Sequence, residues 1–238
     1  MTSSRPLEGR VALATGASRG LGFAIAKELA SQGAHVIATA RTQGGLEELD
    51  DAIRETGGSS TLVPMDLNAP DGIEKLAEAV SKRWGKLDIL VSNAGQLGVI
   101  TPAAQIPSKV WNETMGVNLI APARLIRAYE GLLKQSDSGR AVFISSSSAR
   151  SRRAYWAAYA ASKSALEALV QSWARELVDS PLNVNLADPG RMRTAMRAKA
   201  MPGEDPMDNP APDEIAPAIA ALCSADEKRH GELIEVGG

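Results

Sequence analysis

Residues 11–22 read VALATGASRGLG, and this stretch is the strongest indication of the fold. A short apolar run is followed by a turn with glycines at positions 16, 20 and 22, and then by a helical pattern through Ile25 and Leu29. A strand, a glycine-rich turn and a helix in this order can bring a pyrophosphate close to the N–H groups at the start of the helix. The spacing is G-x-x-x-G-x-G rather than the more common G-x-G-x-x-G, and a tight strand-to-helix connection would also need glycines. The stretch therefore favours a dinucleotide site and leaves a purely structural turn as the alternative.

The alternation of strand and helix patterns continues along the chain. Seven short apolar runs are predicted as strands, at 11–15, 35–40, 60–64, 87–92, 141–145, 182–187 and 232–236. Several of them are too uniformly apolar to have a solvated face, which is typical of parallel strands covered by helices. We predict an α/β, doubly wound Rossmann-type fold, with a mostly or fully parallel seven-stranded sheet and helices on both faces.

Two longer segments differ from this alternation. The longest helical pattern covers residues 155–178, with Leu166 and Val170 on one face, and it could form a dimer contact as well as core. Residues 191–212 are predicted to be irregular, because three prolines interrupt any helix there. A loop of this length inside a compact domain is usually functional. We therefore predict a single domain over residues 1–238, with a substrate-loop insertion at about 191–212.

The composition restricts the partners. The 238 residues include 26 basic and 28 acidic side chains, for a net charge of −2, which gives no general attraction to nucleic acid or anionic lipid. The single Cys223 and two separated histidines, His35 and His230, predict neither a disulfide nor a metal site. Residues 1–10 do not resemble a signal peptide, and no apolar run is long enough to span a membrane. We expect a cytoplasmic protein with small-molecule partners.

Tyr159 and Lys163 provide the second chemical indication. They lie four residues apart in the longest helical pattern, and therefore on the same face of the helix. The ammonium would then lie near the phenol and lower its pKa, which proton transfer by a tyrosine near neutral pH requires. The ordinary pKa of tyrosine is about 10, and a lysine alone rarely lowers it to near neutral pH. A second positive charge nearby would add to the lowering. A tyrosine that packs beside a solvated lysine is the structural alternative.

With these motifs, the chain resembles the short-chain dehydrogenase/reductase family, of the compact single-domain type, over essentially its whole length. The resemblance rests on Thr15 to Gly22, Asp66, Asn93-Ala94-Gly95, Asn118, Ser146, Tyr159 with Lys163, and Pro189-Gly190 with Thr194, in the order and spacing of that family. It implies hydride transfer between a nicotinamide cofactor and a carbonyl or secondary alcohol. It also implies a homodimer or homotetramer packed through residues 102–135 and 155–178.

The resemblance implies catalytic roles for four residues. Tyr159 would protonate the carbonyl oxygen, or deprotonate the alcohol, while Ser146 would hold that oxygen by a hydrogen bond. Lys163 would bind the nicotinamide ribose and lower the pKa of Tyr159. Asn118 would order a water in a proton relay, although a helix-interrupting or capping amide is the alternative. Ser146 is chosen because the family's serine lies thirteen residues before its tyrosine, and the other serines within 145–148 stay open.

The resemblance implies cofactor contacts at the ends of several strands. The residues concerned are Gly16, Ser18, Arg19, Gly20, Leu21, Gly22, Arg41, Asp66, Leu67, Asn93, Ala94, Gly95, Tyr159, Lys163, Pro189, Gly190 and Thr194. Asp66 would contact the adenine, although an aspartate after a strand is just as often a helix N-cap. The stretches 93–95 and 189–190 would border the cofactor, although both also fit ordinary turns.

The end of the second strand predicts the form of the cofactor. NAD-binding relatives have an acidic residue there, which receives the ribose hydroxyls and would repel a 2′-phosphate. Residues 34–42 contain no Asp or Glu, whereas Arg41 follows the strand and Arg19 lies in the glycine turn. Each arginine could be an ordinary solvated one, but together with the missing acid they favour NADP(H).

Two departures from the family pattern concern the substrate. Asp188 precedes the Pro-Gly pair, where the family more often has Asn or a small residue. Seven cations lie on segments that flank one pocket, namely Arg150, Arg152, Arg153, Arg191, Arg193, Arg197 and Lys199. Most are expected to be solvated or paired with Glu204, Asp205 and Asp208, but at least one would reach the substrate. We therefore expect a carbonyl compound with a remote anionic or strongly polar group.

Two other functions compete with an NADP(H)-dependent carbonyl reductase. A non-catalytic NADP(H)-binding sensor or regulator could use the same fold, since a fold does not determine a function. Such a protein would have little need for Ser146, Tyr159 and Lys163 together. An epimerase or dehydratase with a bound cofactor generally needs an extra substrate domain, which we do not expect here.

Overall fold

Seven parallel strands form one sheet in the part of the chain that the structure describes. The structure is a computed structural model and describes residues 5–177 and 179–237. The strands are β1 Val11–Thr15, β2 His35–Ala40, β3 Ser59–Pro64, β4 Ile89–Ser92, β5 Arg140–Ile144, β6 Asn183–Asp188 and β7 Leu233–Glu235. Their spatial order is β3-β2-β1-β4-β5-β6-β7, and every neighbouring pair is parallel. The predicted fold class is confirmed, and the sheet is fully parallel.

Helices connect the strands and cover both faces of the sheet. They are α1 Gly20–Ser31, α2 Gln43–Glu55, α3 Gly72–Trp84, α4 Ser108–Met115, α5 Ala121–Lys134, α6 Ser148–Ser151, α7 Ala157–Glu176, α8 Ala195–Ala200 and α9 Pro212–Ala221. A π-helical turn, Gly116–Ile120, joins α4 to α5. Within the described ranges, no helix has both the length and the apolar character that crossing a membrane requires.

The alternation of side chains along each strand creates two apolar layers. In β1, Ala12 and Ala14 pack with the buried faces of α1, α2 and α9, whereas Val11 and Leu13 pack with α3, α5 and α7. Because both faces of β1 are covered, all five of its residues are buried. Each fully buried Leu, Ile or Val contributes about 1.5–3 kcal/mol relative to an exposed position, so the two layers hold the sheet rigidly beneath its loops.

Some boundaries differ from those that the sequence predicts. The fourth strand begins two residues late, at Ile89, because the Leu87 N–H is bonded to Leu132 O at the end of α5. The other strand boundaries agree to within one residue. The long helix begins at Ala157, because Tyr155 has a φ of +72°, outside the helical region. Its predicted end, Val178, lies outside the described residues, as do residues 1–4 and Gly238.

The segment 191–212 is more regular than predicted. It contains α8 and a 3-10 turn, Pro206–Asp208, and its last residue begins α9. The prediction of an irregular segment is wrong because Pro202 follows the end of α8, so no proline interrupts that helix. The division of the chain into a single domain stays a prediction.

Candidate functional site

The loops that follow β1 and β4 meet at the carboxyl end of the sheet. These strands are neighbours at the point where the strand order reverses, which is where doubly wound sheets open a crevice for ligands. The N–H groups of Asn93 and Ala94 both donate to Thr15 Oγ1, at 3.0 and 3.1 Å, and Asn93 Nδ2 donates to Thr15 O at 3.0 Å. These bonds fasten the 93–95 stretch to the glycine turn, so two predicted cofactor motifs lie together.

The glycine turn has no room for side chains at two of its glycines. A Cβ on Gly16 would lie 2.9 Å from Ala94 Cα, and Gly16 has a φ of +66°. A Cβ on Gly22 would lie 2.3 Å from both Asn93 Nδ2 and Gly16 O. The glycines therefore permit close contact between the turn and the 93–95 stretch. Glycine is needed at both positions for this packing alone, independently of any bound dinucleotide.

The same turn leaves an anion-binding helix end open. Helix α1 begins at Gly20, and its N-cap residue Arg19 makes no side-chain capping bond. The first N–H groups of α1 are thus free for an anion, and the helix dipole favours one there. Thr194 Cγ2 would lie 3.6 Å from a Cβ on Gly20, so the segment after β6 reaches the same place. Ser18 and Leu21 complete the turn, and Leu21 is buried.

Two exposed arginines lie at the end of this turn and of β2. Arg19 and Arg41 are both exposed, and neither forms an ion pair within residues 5–177 and 179–237. A Cβ on Gly45 would lie 2.6 Å from Ser18 O, so the first turn of α2 packs on the glycine turn. Arg41 lies just before α2, so Arg41 and Arg19 are on adjacent segments. Their guanidinium groups could bind an anion there.

Asp66 does not cap a helix. Its Oδ1 accepts the N–H of Asn68 at 2.9 Å, which closes a local turn after β3, whereas α3 begins at Gly72 with Asp71 as its N-cap residue. The helix N-cap alternative for Asp66 is therefore wrong. Its side chain is exposed beside the buried Leu67, at the same edge of the sheet as the glycine turn.

Ser146, Tyr159 and Lys163 come together beside this crevice. Ser146 follows β5, and its hydroxyl contacts the Tyr159 phenol from one side. Lys163 is 3% exposed, and its Nζ donates to Ile144 O, at the end of β5, at 2.7 Å. A Cβ on Gly95 would lie 3.8 Å from Lys163 Nζ. The predicted pair on α7 therefore lies beside the serine and close to the 93–95 stretch.

Burial is the main influence on the pKa values of Tyr159 and Lys163. Burial raises the pKa of Tyr159 to about 12, with Asp188 adding to the rise and the Ser146 hydroxyl opposing it. Burial lowers the pKa of Lys163 to about 8, although the carboxylates of Glu167 and Asp188 oppose this. Burial, Ser146 and Asp188 account for the shift of Tyr159 without a contribution from Lys163, and the lowering of its pKa by Lys163 together with a second positive charge stays a prediction.

Asn118 lies in the π-helical turn and is completely buried. Its Oδ1 accepts the Gln96 N–H at 2.7 Å, and its Nδ2 donates to Gln96 O and to Ser162 Oγ, both at 2.9 Å. Ser162 Oγ in turn donates to Tyr159 O at 2.8 Å. The amide thus connects the loop after β4 to the helix turn that carries Tyr159. The π-helical turn also interrupts the regular helix between α4 and α5. The position of Asn118 therefore agrees with both predicted roles, a residue of the proton relay and a helix-interrupting amide.

The turn after β6 is tightly built. Gly190 has a φ of +68°, and a Cβ there would lie 2.4 Å from Gly237 O. Its N–H donates to Asp188 Oδ1 at 3.1 Å. Thr194 begins α8 as its N-cap, with Oγ1 accepting the Arg197 N–H at 3.2 Å. Pro189 and Gly190 are therefore held in place at the carboxyl end of β6, and Thr194 carries the same segment to Gly20 of the glycine turn.

The seven substrate-side cations separate into two groups. Arg150 pairs with Glu167, and Arg197 Nη2 pairs with Glu204 Oε1 at 2.6 Å, so these two are engaged within the protein. In the described part of the chain the other five form no ion pair, namely Arg152, Arg153, Arg191, Arg193 and Lys199. Glu204, which pairs with Arg197, is one of the acids that the sequence predicts for these cations. Glu167, which pairs with Arg150, is not among them.

The segment between Ser146 and Tyr159 has an unusual backbone. Arg152 and Tyr155 have φ values of +47° and +72°, which are uncommon for residues with a Cβ and are found most often at functional sites. Tyr155 is 58% exposed, and its carbonyl accepts the Thr101 N–H at 3.1 Å. An exposed aromatic ring in a constrained position thus lies between Ser146 and Tyr159 in the chain, with its main chain fastened to Thr101.

Three contributors to the site were not predicted. Gln96 and Ser162 position Asn118, and Glu167 contacts Arg150. Glu167 lies one helical turn after Lys163, a spacing that could have indicated it. The sequence gives no comparable signal for Gln96, because its main chain makes the bonds to Asn118.

The residues present fit a dinucleotide that carries a phosphate on its ribose. The uncapped start of α1 suits a pyrophosphate, and Arg19 and Arg41 suit a further phosphate. Lys163 Nζ has three N–H donors and one acceptor, Ile144 O, within the described ranges, so it can still bind hydroxyl groups. The described residues contain no group of three His, Cys, Asp or Glu side chains that could hold a metal ion.

The class of protein follows from comparison with known families. The family model described as short chain dehydrogenase matches residues 10–205, and the chain belongs to this family of oxidoreductases. Membership supports a nicotinamide cofactor, in agreement with the crevice and the glycine turn.

Individual relatives cover nearly the whole chain. The oxidoreductase YciK of Escherichia coli K12 is 39% identical over 226 residues, which cover 94% of this chain and 89% of that protein. A short chain dehydrogenase of Shigella flexneri, solved with NADP, is 36% identical with a TM-score of 0.94, covering 98% of this chain and 99% of that one. Another from Escherichia coli CFT073, solved with NADPH, is 36% identical with a TM-score of 0.93, covering 99% and 100%.

Proposed function

We propose that this protein is an NADP(H)-dependent oxidoreductase that reversibly reduces a carbonyl to a secondary alcohol. The observation that carries the proposal is the meeting of Tyr159, Ser146 and Lys163 beside a crevice that contains the uncapped start of α1. A proton donor, a hydrogen-bond donor for an oxygen and a buried cation are the groups that carbonyl reduction needs.

The proposed mechanism assigns one task to each side chain. The nicotinamide, when bound, supplies or accepts the hydride. Ser146 binds the carbonyl oxygen, and the Tyr159 phenol gives that oxygen its proton. With a pKa of about 12 the Tyr159 phenol is protonated at neutral pH and has a proton to give, and Lys163 together with the positive charge of a bound nicotinamide would lower this pKa towards the range that reversible proton transfer needs. Lys163 binds the ribose hydroxyls and, as a cation, stabilises the phenolate that remains.

Asn118 has a positioning role in this proposal, besides ordering a water in the proton relay. Its amide is bonded to both main-chain polar groups of Gln96 and to Ser162, so it fixes the loop after β4 against the turn of α7 that carries Tyr159. Loss of the amide would leave buried polar groups without partners, and the tyrosine would lose its fixed distance from the 93–95 stretch.

We propose a preference for NADP(H) over NAD(H). Arg19 and Arg41 are exposed and free of ion pairs in the described ranges, and the end of β2 has no acidic residue that would repel a 2′-phosphate. Relatives of the same fold have been solved with NADP and with NADPH, which supports this choice. The adenine would lie near Asp66 and Leu67, and the carboxamide near Pro189, Gly190 and Thr194.

The proposed substrate carries an anionic or strongly polar group away from its carbonyl. Of the seven substrate-side cations, Arg150 and Arg197 are paired within the protein, so the preference would depend on the other five. The segment 191–212 would act as the substrate loop, since it begins at the Pro189–Gly190 turn and contains α8. Matched ketones with and without a carboxylate, assayed at low and high salt, test this, and a preference below about tenfold, or about 1.4 kcal/mol, overturns it.

A homodimer or homotetramer is part of the proposal. The surfaces concerned are residues 102–135 and the described part of 155–178, and Ile120, 53% exposed, lies in the first of them. Sedimentation of wild type and of Ile120→Lys tests it, because a charge in an apolar interface would shift the protein towards the monomer.

The alternative is a non-catalytic NADP(H)-binding sensor. A panel of carbonyl compounds assayed with NADPH and with NADH separates the two functions. Consumption of NADPH with at least one carbonyl supports the enzyme. Tight NADPH binding with no turnover across a broad panel supports the sensor instead.

A further inference from the structure

Arg150 is the centre of an ion cluster behind the candidate catalytic residues. It lies in α6, four residues after Ser146, and its guanidinium contacts three carboxylates from three separate elements. Nη1 lies 2.6 Å from Glu167 Oε1 on α7, Nη2 is bonded to Asp188 Oδ2 at the end of β6, and Nη2 lies 3.4 Å from Glu235 Oε1 on β7. One side chain thereby connects α6, α7, β6 and β7.

Two of these carboxylates also hold the segments that border the site. Glu167 Oε1 accepts the hydroxyl of Ser145 at 2.6 Å, and Ser145 is the residue before Ser146. Asp188 uses its second oxygen, Oδ1, to accept the Gly190 N–H at 3.1 Å. The cluster therefore reaches the serine on one side and the Pro189–Gly190 turn on the other.

We propose that Arg150 is a positioning residue: by compensating the buried charge of Asp188 it keeps that carboxylate on the Gly190 N–H, and so fixes the Pro189–Gly190 turn beside the Ser146 segment. This inference rests on the proposed function, because it assumes that the serine serves the substrate and the turn serves the cofactor. It removes Arg150 from the cations that could bind substrate.

The burial of Asp188 makes this bridge necessary. Asp188 is 3% exposed, and a buried carboxylate without a cationic partner is strongly unfavourable. Without Arg150 the side chain would turn towards water and release the Gly190 N–H. Asparagine at this position could keep the Gly190 bond without a charge, so the arginine is needed only because the residue is an aspartate. A planar guanidinium can also bond two carboxylates at once, which an ammonium cannot do with the same geometry.

The cluster also sets the charge around Tyr159 and Lys163. The groups that face this pair are Glu167 on α7, Asp188 at the end of β6 and, through them, Arg150 on α6, while Ser146 contributes a neutral hydroxyl. Arg150 offsets one of the two negative charges nearby. Its removal would therefore make the phenolate harder to form, and the alcohol-oxidation rate would need a higher pH.

The test compares Arg150→Met with Arg150→Met/Asp188→Asn in the full chain. For Arg150→Met we expect the Kd of NADPH, measured by titration without substrate, to rise about tenfold. We also expect the pH profile of alcohol oxidation to move to higher pH. The double variant should return both quantities close to wild type, because its residue 188 has no charge to compensate. Arg54→Met, which removes the exposed ion pair with Asp50 on α2, is the matched control and should change neither.

Rescue separates positioning from a general loss of stability. An unchanged Kd in Arg150→Met, or a double variant as weak as the single one, overturns the inference. Arg150→Lys provides a second measurement if Arg150→Met does not fold, with an expected rise in Kd of about threefold and no change as the contradicting result. Failure of the proposed function looks different, because wild-type protein would then bind no NADPH or turn over no carbonyl.

Discussion

The two ends of the sheet use buried cations in opposite ways. At the amino end, Arg10 donates to Cys223 O at 2.6 Å, Ser138 O at 2.6 Å and Asp88 O at 3.1 Å. Arg140, at the start of β5, likewise donates to main-chain carbonyls after α9. At the carboxyl end, Lys163 is just as buried but has one protein acceptor in the described ranges.

This difference assigns stability to the amino end of the sheet and ligand binding to its carboxyl end. The guanidinium groups at the amino end are satisfied by the main chain, so they close the fold and leave little for a ligand to bind. The carboxyl end keeps an uncapped helix start, exposed arginines and an ammonium with unused donors. Substitutions at the two ends should therefore affect different quantities.

The largest effect is expected for Tyr159→Phe. Proton transfer by a positioned side chain contributes about 10² to 10⁴ in rate, so kcat should fall by that factor. The Kd of NADPH should stay within about threefold of wild type, because the phenol adds little to cofactor binding. Steady-state kinetics with NADPH titration measures both, and a variant that keeps more than about a tenth of the wild-type kcat would show that Tyr159 is not the acid.

Arg10→Met should produce the opposite result at the other end. The substitution removes three bonds to main-chain carbonyls, two of them buried, and we expect the free energy of unfolding to fall by about 3 kcal/mol. The Kd of NADPH for the folded fraction should be unchanged. Urea denaturation and NADPH titration measure the two quantities, and a weakened cofactor affinity with unchanged stability would contradict the separation.

Gly22→Ala tests the close approach of the glycine turn to the 93–95 stretch. Its Cβ would overlap Asn93 Nδ2 and Gly16 O, so both loops must move, at a cost of about 1–3 kcal/mol. We expect the Kd of NADPH to rise at least about tenfold. Gly131→Ala in α5 is the matched control, since its Cβ would meet nothing within 4 Å and should slightly stabilise the helix. Equal Kd values for the two variants would refute the assignment of the turn.

The smallest effect is expected for the cofactor preference. Wild type should have a higher kcat/KM with NADPH than with NADH. Arg41→Ser should reduce this ratio by about fivefold, or about 1 kcal/mol, mainly through the KM for NADPH. Equal kcat/KM values of wild type with the two cofactors would contradict the role of both Arg19 and Arg41.

Local patterns in the sequence were sufficient to predict the sheet. A uniformly apolar strand such as β4 requires cover on both faces, and the glycine turn requires a strand before it and a helix after it. The family spacing predicted Ser146, Tyr159 and Lys163, which the structure brings together, while their catalytic roles stay predictions. Such inferences depend on residues that are near in sequence or spaced by one helical period.

Contacts between distant segments could not be predicted in the same way. The partners of Arg150 come from positions 167, 188 and 235, and no local pattern connects them. The direction of the Tyr159 pKa shift depends on burial, which residue spacing does not reveal. The prolines of 191–212 do not reveal helix α8, because Pro202, Pro206 and Pro210 all follow its end and none interrupts it.

Hydrogen–deuterium exchange with and without NADPH tests the separation of the two ends most directly. We expect NADPH to slow exchange in residues 16–22, 93–97 and 189–194, at the carboxyl end. Residues 85–88, 138–140 and 223–227, at the amino end, should exchange at the same rate in both conditions. Protection centred on the amino-end segments, or no protection at the carboxyl end at saturating NADPH, would contradict it.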